Sequence, residues 1–545
     1  MSMFNRLRNG DLMRRGIAAV KLGASLTLTG AALPGFALVT ALAFGTNTLA
    51  AEFTMGNFDW QGSRSIPGGG NLTKKNVTKF GLEVKWTATT TGSVVHSVVT
   101  SDDMVIAGDM NGYMYAFNIS DGTTIWQTCL EPATACAFNG FPFAGIIGNP
   151  VVKGGTVYVG TLSGSLVAVD IQTGAILWDH TPGVNPVVFG VFPLDAVWGG
   201  AIAVENTIVY GLSPADQFGF LNTDARGAIL AVNANTGEEV WRSILIPDDA
   251  FSAGSTGAGF WASAPTYSPK LGLIFVGTGQ DRNPAGGVVG SDSIFAIDAM
   301  TGEIVWQTQV RTTDTWNISL PFDPLNPVDT DFGQSPSVFR LNGQIMVAAG
   351  DKRGIFWVMN ASTGAILNNG GNGLDMFADD NGNPMLPGPG LTGGFNIDAG
   401  FVKKGNDIKH FAVFADQSAA LQDVVDMVDP WVDGTCFNGA FPACPVAPTG
   451  SVTVLEGDGS AEVCRFSVED TELFSPFHVD GMIFVRGAQD GTLYSVDFDS
   501  CEQIDAFAVP TGPSAGAALS IADGVIYTGG GFFGASGLTA IGVAK

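Results

Sequence analysis

The chain has 545 residues, more than one hydrophobic core usually fills, so either several domains or a repeated architecture is expected. Only 14% of the residues are charged, and the 74 glycines and 37 phenylalanines are typical of many short strands with tight turns rather than of long helices. The formal net charge of −26 disfavours nucleic acid and anionic membranes as partners, because like charges repel.

Residues 1–51 are predicted to be a leader that precedes the fold. An apolar run over 17–44 follows a basic stretch, and small residues at 48–51 offer a cleavage site. This pattern predicts export to a periplasmic or secreted location, by either the general or the twin-arginine route. A retained membrane anchor is the alternative, because the apolar run is long enough to span a bilayer. The basic residues are Arg6, Arg8, Arg14 and Arg15.

Six cysteines follow the leader, and an even number in an exported chain predicts disulfides. The two short separations favour the local pairs Cys129–Cys136 and Cys436–Cys444, which leaves Cys464–Cys501. The chain contains no CxxCH sequence, so no covalently bound haem is expected.

One pattern recurs along the chain: a short apolar strand, a loop centred on Thr-Gly, and a strand that ends in tryptophan. Period-two alternation within each copy indicates half-buried strands, and glycine allows the positive φ of a tight turn. Tryptophan is large enough to fill the space between neighbouring sheets. The four clear copies end at Trp126, Trp178, Trp241 and Trp306, and degenerate copies occupy 355–368 and 492–505.

Upstream of each copy lies a second strand signature, as at 149–161 and 264–278, so each unit makes two hairpins. Two hairpins form one four-stranded antiparallel blade, and radial repetition of blades protects the sheet edges. The sequence therefore predicts an all-β fold, a β-propeller that occupies residues 52–545 as a single domain.

Eight blades result if two further blades are formed outside the six copies. One fits around 452–466, and the other combines C-terminal strands at 524–529 and 538–543 with an N-terminal strand that ends at Trp86. Six or seven blades remain open, because residues 370–450 are poorly periodic and are predicted to be a loop insertion.

The repeat resembles that of quinoproteins, enzymes that carry pyrroloquinoline quinone on the axis of an eight-bladed propeller. The segment at 59–86 is similar to the N-terminal segment of that family. The strongest likeness spans TDTWNISL (313–320), DTDFGQSPSV (329–338) and AAGDKRGIFWVMNASTG (348–364). These motifs resemble in particular the polyvinyl-alcohol dehydrogenase branch of the quinoprotein alcohol dehydrogenases.

The resemblance implies roles for individual residues. Trp261 in GFWASAPT matches the tryptophan on which the quinone lies, and Lys352 in GDKRG matches the cation that reaches its reactive carbonyl. Asp314 in TDTWN matches the catalytic carboxylate that takes the alcohol proton, with Asn317 as a neighbour at the cofactor.

Calcium is the implied metal, but its ligand positions depart from the family pattern. Asp216 lies where a glutamate is expected, Gln280 replaces an asparagine, and Asp314 would be the remaining ligand. The family also covers the quinone with a disulfide between adjacent cysteines. The corresponding stretch before Arg226 contains no cysteine.

Two functions follow as hypotheses. The first is an exported quinone-dependent alcohol dehydrogenase that transfers hydride from a secondary or polymeric alcohol to pyrroloquinoline quinone, with a separate c-type cytochrome as electron acceptor. The second is a non-catalytic propeller that serves as a binding or assembly scaffold. The altered calcium positions and the missing paired cysteines favour the second, whereas Lys352 and Asp314 favour the first.

Overall fold

The structure, a computed structural model, describes most of the chain after the leader. Residues Leu49–Lys545 form one compact unit. Residues 53–545 are described except for 132–135, 137–144, 186, 189–191, 194, 215–224, 262–263, 281–289, 313, 315–329, 377–393, 417–448, 470, 514–515 and 533. The predicted leader therefore lies outside the described residues.

Eight antiparallel sheets of four main strands surround a common axis, which confirms the predicted propeller. Each blade begins with the strand nearest the axis and ends with an outermost strand. Blade 1 consists of β3 (Val99–Ser101), β4 (Met104–Gly108), β5 (Tyr113–Asn118) and β6 (Thr124–Cys129), and blade 2 of β7 (Val151–Lys153), β8 (Thr156–Gly160), β9 (Leu166–Asp170) and β10 (Ile176–His180). Blade 3 consists of β14 (Ile202–Val204), β15 (Thr207–Pro214), β16 (Ala228–Asn233) and β17 (Glu239–Ile244), and blade 4 of β18 (Thr266–Ser268), β19 (Leu273–Gly277), β20 (Ser293–Asp298) and β21 (Ile304–Gln309).

The remaining blades follow the same order, except that the outermost strand of blade 8 comes from the N-terminal part of the chain. Blade 5 consists of β22 (Ser337–Leu341), β23 (Gln344–Gly350), β24 (Ile355–Asn360) and β25 (Leu374–Asp375), and blade 6 of β26 (Gly394–Lys404), β27 (Asp407–Asp416), β28 (Thr449–Glu456) and β29 (Glu462–Val468). Blade 7 consists of β30 (Leu473–Val479), β31 (Met482–Gly487), β32 (Thr492–Asp497) and β33 (Gln503–Ala508), and blade 8 of β34 (Leu519–Ala522), β35 (Val525–Gly529), β36 (Leu538–Val543) and β2 (Leu82–Ala88).

Few elements lie outside the four main strands of each blade. The helices are α1 (Lys74–Phe80), α2 (Asp248–Ser252) and a 3-10 turn (Asn368–Gly371), and the additional strands are β1 (Ser65–Ile66), β11 (Val187–Val188), β12 (Phe192–Pro193) and β13 (Asp195–Ala196). Strand β1 pairs with β30 of blade 7, β13 pairs with β15 of blade 3, and β11 and β12 pair with each other. Within the described ranges, no helix has the length and apolar character needed to cross a membrane.

The predicted ring closure is confirmed, because β2 pairs with β36 in antiparallel register, with Trp86 opposite Ala540. The loop insertion predicted for 370–450 needs a correction. Strands β26 and β27 lie inside that interval and pair with β28 and β29 as blade 6. Their periodicity is interrupted between Phe395 and Ala399, where β26 has two more residues than the partner strand has between Phe414 and Ala412.

The tryptophan and the Thr-Gly turn of the repeat belong to one contact between neighbouring blades. Trp126 of blade 1 donates its indole N–H to the carbonyl of Ile171 in blade 2, at 2.9 Å. Its ring also packs on Gly174, where an added Cβ would lie 2.7 Å from ring atoms. Gly174 has φ +72°, so glycine is required there both for the backbone and for the space. The repeat therefore encodes the packing of each blade on the next one.

Residues 53–66, the axial segment, run across the innermost strands of six blades. Their carbonyl groups accept backbone N–H groups from these strands at 2.7–2.9 Å. The segment thus ties together blades that are far apart in sequence. The pairs, each with its donor first and its acceptor second, are Thr100–Phe53, Val152–Thr54, Tyr267–Trp60, Val338–Gln61, Phe401–Ser63 and His478–Arg64.

A buried ion pair fixes the axial segment at its end. The guanidinium of Arg64 is fully buried and lies 2.9 Å from the carboxylate of Asp398. Burial lowers the pKa of Arg64 to about 10, while the charge of Asp398 opposes that shift. Arg64 also lies 3.8 Å from the ring centre of Phe477, so it bridges blades 6 and 7.

Two of the predicted disulfides are confirmed. Cys129 is bonded to Cys136, and Cys464 is bonded to Cys501. The third predicted pair, Cys436–Cys444, falls on residues outside the described part of the chain.

Candidate functional site

The candidate site is built on a backbone hydrogen bond that recurs at one end of the propeller axis. In blades 1, 2, 4 and 5, the residue two positions after the second strand donates its N–H to a carbonyl in the segment that leads into the first strand of the same blade. This bond places one turn side chain per blade near the axis. The pairs, each with its donor first and its acceptor second, are Met110–Ser93, Leu162–Gly145, Gly279–Gly259 and Lys352–Asp331.

The turn that carries Lys352 is held by the aspartate before it. The carboxylate of Asp351 accepts the backbone N–H of Ile355 at 2.9 Å and the indole N–H of Trp357 at 2.8 Å. Gly354 has φ +91°, which closes the turn. Burial raises the pKa of Asp351 to about 7, and these two hydrogen bonds oppose the shift. The sequence DKRG therefore forms a rigid support for Lys352.

Lys352 is 4% exposed and its ammonium has two partners in the site. Its Nζ lies 3.2 Å from Oδ1 of Asp331 and 4.6 Å from the ring centre of Trp261. A buried ammonium needs such compensation, since desolvation of an isolated charge is costly. Trp261 precedes β18 in blade 4 whereas Lys352 follows β23 in blade 5, so the contact joins two blades.

Two glycines give the indole of Trp261 its place. A Cβ on Gly333 would lie 2.4 Å from Cη2 of Trp261, so only glycine allows the ring to occupy this position. A Cβ on Gly279 would lie 3.4 Å from both Nε1 of Trp261 and Oδ2 of Asp331. The indole N–H and the Asp331 carboxylate therefore both border the space beside Gly279.

Asp314 is fully buried and lies close in structure to the Lys352 partner. Its Oδ2 accepts the backbone N–H of Thr330, the residue directly before Asp331. Gln280 is also buried, and its carbonyl accepts the N–H of Ala258 at 3.0 Å, which ties the end of β19 to the segment that carries Trp261.

Four of the six predicted site residues can thus be located. Trp261 and Lys352 are in contact, and Asp314 and Gln280 lie on neighbouring segments, whereas Asn317 and Asp216 fall outside the described residues. Their catalytic, cofactor and metal roles stay predictions. Within the described ranges, no group of three His, Cys, Asp or Glu side chains could hold a metal ion.

Sequence reasoning missed Asp331, although it lies in the quoted motif DTDFGQSPSV. A signal existed in the repeat: the equivalent residues that lead into blades 1, 2 and 4 are Ser93, Gly145 and Gly259, so an acidic residue in blade 5 is the exception. Finding it requires the structural alignment of the turns, because the two residues of a pair are 17 positions apart in blades 1 and 2 but 20 in blade 4 and 21 in blade 5.

The same end of the axis is apolar on the side of blades 1 to 3. There the turn residues Met110 and Leu162 belong to a hydrophobic cluster, whereas the equivalent residue of blade 5 is charged. Equivalent turns therefore carry an apolar wall (Met110, Leu162 and the residues packed with them) and a polar wall (Trp261, Asp331 and Lys352), a combination suited to a flat ligand with polar edges. The cluster contains Val95, Ile147, Leu162 and Ala196, with Met110, Trp198 and Phe532 packed against it.

Profiles of two protein families match consecutive parts of the chain. The family described as "Glucose/ethanol/alcohol dehydrogenase, beta-propeller domain" matches residues 197–369, which include Trp261, Asp314 and Lys352. The family described as "Outer membrane protein assembly factor BamB" matches residues 79–186. The class of the protein is therefore a propeller built from quinoprotein-type repeats.

Individual relatives confirm the resemblance to quinoprotein alcohol dehydrogenases. The chain is 26% identical over 313 residues to a polyvinylalcohol dehydrogenase of Pseudomonas sp, and 26% identical over 357 residues to quinohemoprotein alcohol dehydrogenase ADH-IIG of Pseudomonas putida. These alignments cover 53% and 58% of this chain. The chain spans less than half the length of these relatives, 46% and 45%.

Solved structures show the same fold. The quinohemoprotein alcohol dehydrogenase from Comamonas testosteroni superimposes with a TM-score of 0.66, over 91% of this chain and 81% of that one, at 17% sequence identity. A europium-containing methanol dehydrogenase superimposes with a TM-score of 0.62, over 88% and 89% of the two chains, at 15% identity. At such identities the likeness speaks for the propeller and not for the chemistry.

Proposed function

We propose that this protein is an oxidoreductase that oxidises an alcohol with pyrroloquinoline quinone as cofactor. The observation that carries the proposal is the buried ammonium of Lys352, fixed beside Asp331 and over the face of Trp261 at the propeller axis. A structural lysine of a surface turn would extend into water, whereas this one is 4% exposed.

The described residues fit a planar, anionic quinone. Trp261 supplies a hydrogen-bond donor at its ring edge, because its buried Nε1 has no acceptor in the described part of the chain and is available to a ligand oxygen. Lys352 supplies a positive charge, and the cluster around Met110 and Leu162 supplies an apolar wall. When bound, the quinone would supply the hydride acceptor.

The chain's own residues would bind the alcohol and move its proton. Asp314 is the proposed general base, which takes the proton of the alcohol hydroxyl onto its carboxylate. Its Oδ2 is held by the N–H of Thr330, which fixes the direction of the carboxylate. Lys352 would stabilise negative charge that develops on an oxygen at the site, and Asp331 would hold its ammonium in position.

The described residues do not complete a calcium site. Asp314 and Gln280 could each give one oxygen, but hard calcium takes six to eight oxygen ligands, and no cluster of three acidic ligands is present in the described ranges. We therefore derive no step through calcium.

Three further parts of the proposal rest on the sequence and on the relatives. The leader supports export to the periplasm or the medium. The absence of CxxCH supports transfer of electrons to a separate c-type cytochrome, although several relatives are named quinohemoproteins. The likeness to polyvinylalcohol dehydrogenases supports a secondary or polymeric alcohol as substrate.

Reconstitution of the purified chain tests the proposal. We expect that pyrroloquinoline quinone with Ca²⁺ raises the melting temperature, since a ligand that binds only the folded state stabilises it by mass action, and that alcohols then reduce an artificial dye. Titration calorimetry measures the binding itself. No heat, no melting shift and no alcohol-dependent dye reduction would favour the scaffold function, which the assembly-factor profile over residues 79–186 suggests.

A further inference from the structure

The site contains a buried amide whose hydrogen-bonding capacity is half used. Gln334 is 0% exposed and lies between the Asp331 segment and β22. Its Oε1 accepts the backbone N–H of Gly350 at 2.9 Å, whereas its Nε2 has no acceptor in the described part of the chain. Because a backbone N–H requires an acceptor, this hydrogen bond fixes the orientation of the amide, and the NH2 group is the free end.

Gln334 is connected to the other site residues on both sides. Gly333, directly before it, packs under the ring of Trp261. Gly350, its hydrogen-bond partner, lies two residues before Lys352 on the end of β23. The amide is therefore held by the two segments that position Trp261 and Lys352, the residues of the polar wall.

Trp261 carries the second free donor of this wall. Its buried Nε1 has no acceptor among the described residues, while the tryptophans within β6, β10, β17 and β21 donate theirs to a carbonyl of the next blade. A buried donor that lacks an acceptor destabilises the folded state, and most buried polar groups in native proteins are paired. Two such donors on one polar wall are explained if a bound molecule supplies the acceptors.

We infer that Gln334 is a ligand-binding residue, and that its NH2 group and the indole N–H of Trp261 donate to oxygen acceptors of the quinone. Together with the Lys352 ammonium, these donors select a flat molecule with carbonyl or carboxylate oxygens at its edge. This inference rests on the proposed function, because it assigns a binding role within that same site. Gln334 is not among the residues that the sequence resemblance implicated.

A pair of substitutions isolates the free NH2 group. Gln334→Glu keeps an oxygen that can accept the N–H of Gly350, but it replaces the donor with a second oxygen. Gln334→Met removes both ends of the amide without adding charge. Gln503→Glu is the control, because Gln503 is exposed on β33, the outermost strand of blade 7, and the substitution adds the same negative charge at the surface.

Titration calorimetry with pyrroloquinoline quinone, at constant Ca²⁺, reads binding without any need for turnover. We expect the dissociation constant of Gln334→Glu to rise about tenfold or more, that of Gln334→Met to rise in the same direction, and that of the control to stay within about twofold. The melting temperature of each ligand-free variant shows whether it is folded, and if Gln334→Glu does not fold, Gln334→Met decides.

Two results would overturn the inference, and they differ. If the unsubstituted chain binds the quinone and both Gln334 variants bind it equally well, the proposed function stands and the role of Gln334 is refuted. If the unsubstituted chain does not bind the quinone, the proposed function fails and the inference fails with it.

Discussion

Trp241 and Trp261 lie in adjacent segments of the chain but in different kinds of environment. Trp241 is 7% exposed, donates its N–H to the carbonyl of Ala299 in blade 4 at 3.1 Å, and packs on Gly302. Trp261 packs on Gly333 and lies under the ammonium of Lys352, and its N–H has no acceptor in the described residues. The first indole is satisfied by the fold, and the second is available for a ligand.

The turns of the blades show the same difference between a repeated framework and a distinct site. The backbone hydrogen bond that places Lys352 also places Met110, Leu162 and Gly279. One scaffold thus presents a thioether, an aliphatic group, no side chain and a charge at equivalent positions. Repetition supplies the framework, and the departures from the repeat mark the candidate site.

The largest expected effect is on stability and concerns Trp241. Trp241→Ala should lower the free energy of unfolding by about 3–5 kcal/mol, because it leaves a cavity between blades 3 and 4 and an unused carbonyl. Urea denaturation measures the change through the midpoint at constant slope.

Trp261→Ala is the matched variant. It should lower stability by less, since its N–H makes no bond in the described protein, and it should remove the melting shift caused by the quinone. Equal destabilisation by the two substitutions would mean that Trp261 is another blade-packing residue.

The next prediction distinguishes the effect of the Lys352 charge on activity from its effect on the stability of the fold. Lys352→Met gives blade 5 the residue that blade 1 has at this position, and it should reduce dye-linked alcohol oxidation by about 100-fold or more. It should also destabilise the protein by about 3 kcal/mol, because it removes the cation from a buried ion pair.

The double variant Lys352→Met/Asp331→Asn distinguishes the two consequences. Neutralising Asp331 should restore much of the stability, whereas activity should stay low. Recovery of activity in the double variant would contradict the role given to the ammonium of Lys352.

The smallest effect concerns His410, a buried ring on β27 of blade 6. Its Nε2 donates to the carbonyl of Gly457 at 3.2 Å, and the rings of Phe339 and Phe356 lie 4.6 and 5.1 Å away. Burial lowers its pKa to about 4. The folded state therefore favours the neutral ring, so its contribution to stability is present above pH 6.5 and is lost as the pH falls towards 4.

Between pH 7 and pH 5 this histidine should cost about 2 kcal/mol of stability. Asp351, whose pKa is raised to about 7, acts in the opposite direction over this range, so the comparison must be made between variants. His410→Leu should have a smaller loss of stability than the unsubstituted chain when urea midpoints are compared at the two pH values. An unchanged difference would show that His410 is not buried in its neutral form.

Much of the fold could be predicted because its contacts are encoded in short segments. Each copy of the repeat spans about fifteen residues, which include the alternating strands, the Thr-Gly turn and the closing tryptophan, so each copy can be recognised without the others. Blade 6 was partly missed, since the turn between its third and fourth strands is Gly457–Ser460 instead of Thr-Gly and a register irregularity interrupts β26. The pairing of β2 with β36 was predicted from the need to close the ring.

The candidate site was harder to predict from the sequence. Trp261, Asp314 and Lys352 were chosen from a resemblance, whereas Asp331 and Gln334 lay unnoticed within a quoted motif. Asp331 acquires its meaning from an ammonium 21 positions later in the chain, and Gln334 from a backbone N–H in the neighbouring strand.

The sequence by itself determined the blade, its repetition and the hydrophobic contact between blades, because these depend on local periodicity and on residues that recur in every unit. Only the tertiary structure decided which polar groups meet at the axis. Ring closure brings together side chains from different blades, and burial there fixes which ammonium, carboxylate, amide and indole are paired and which remain available for a ligand.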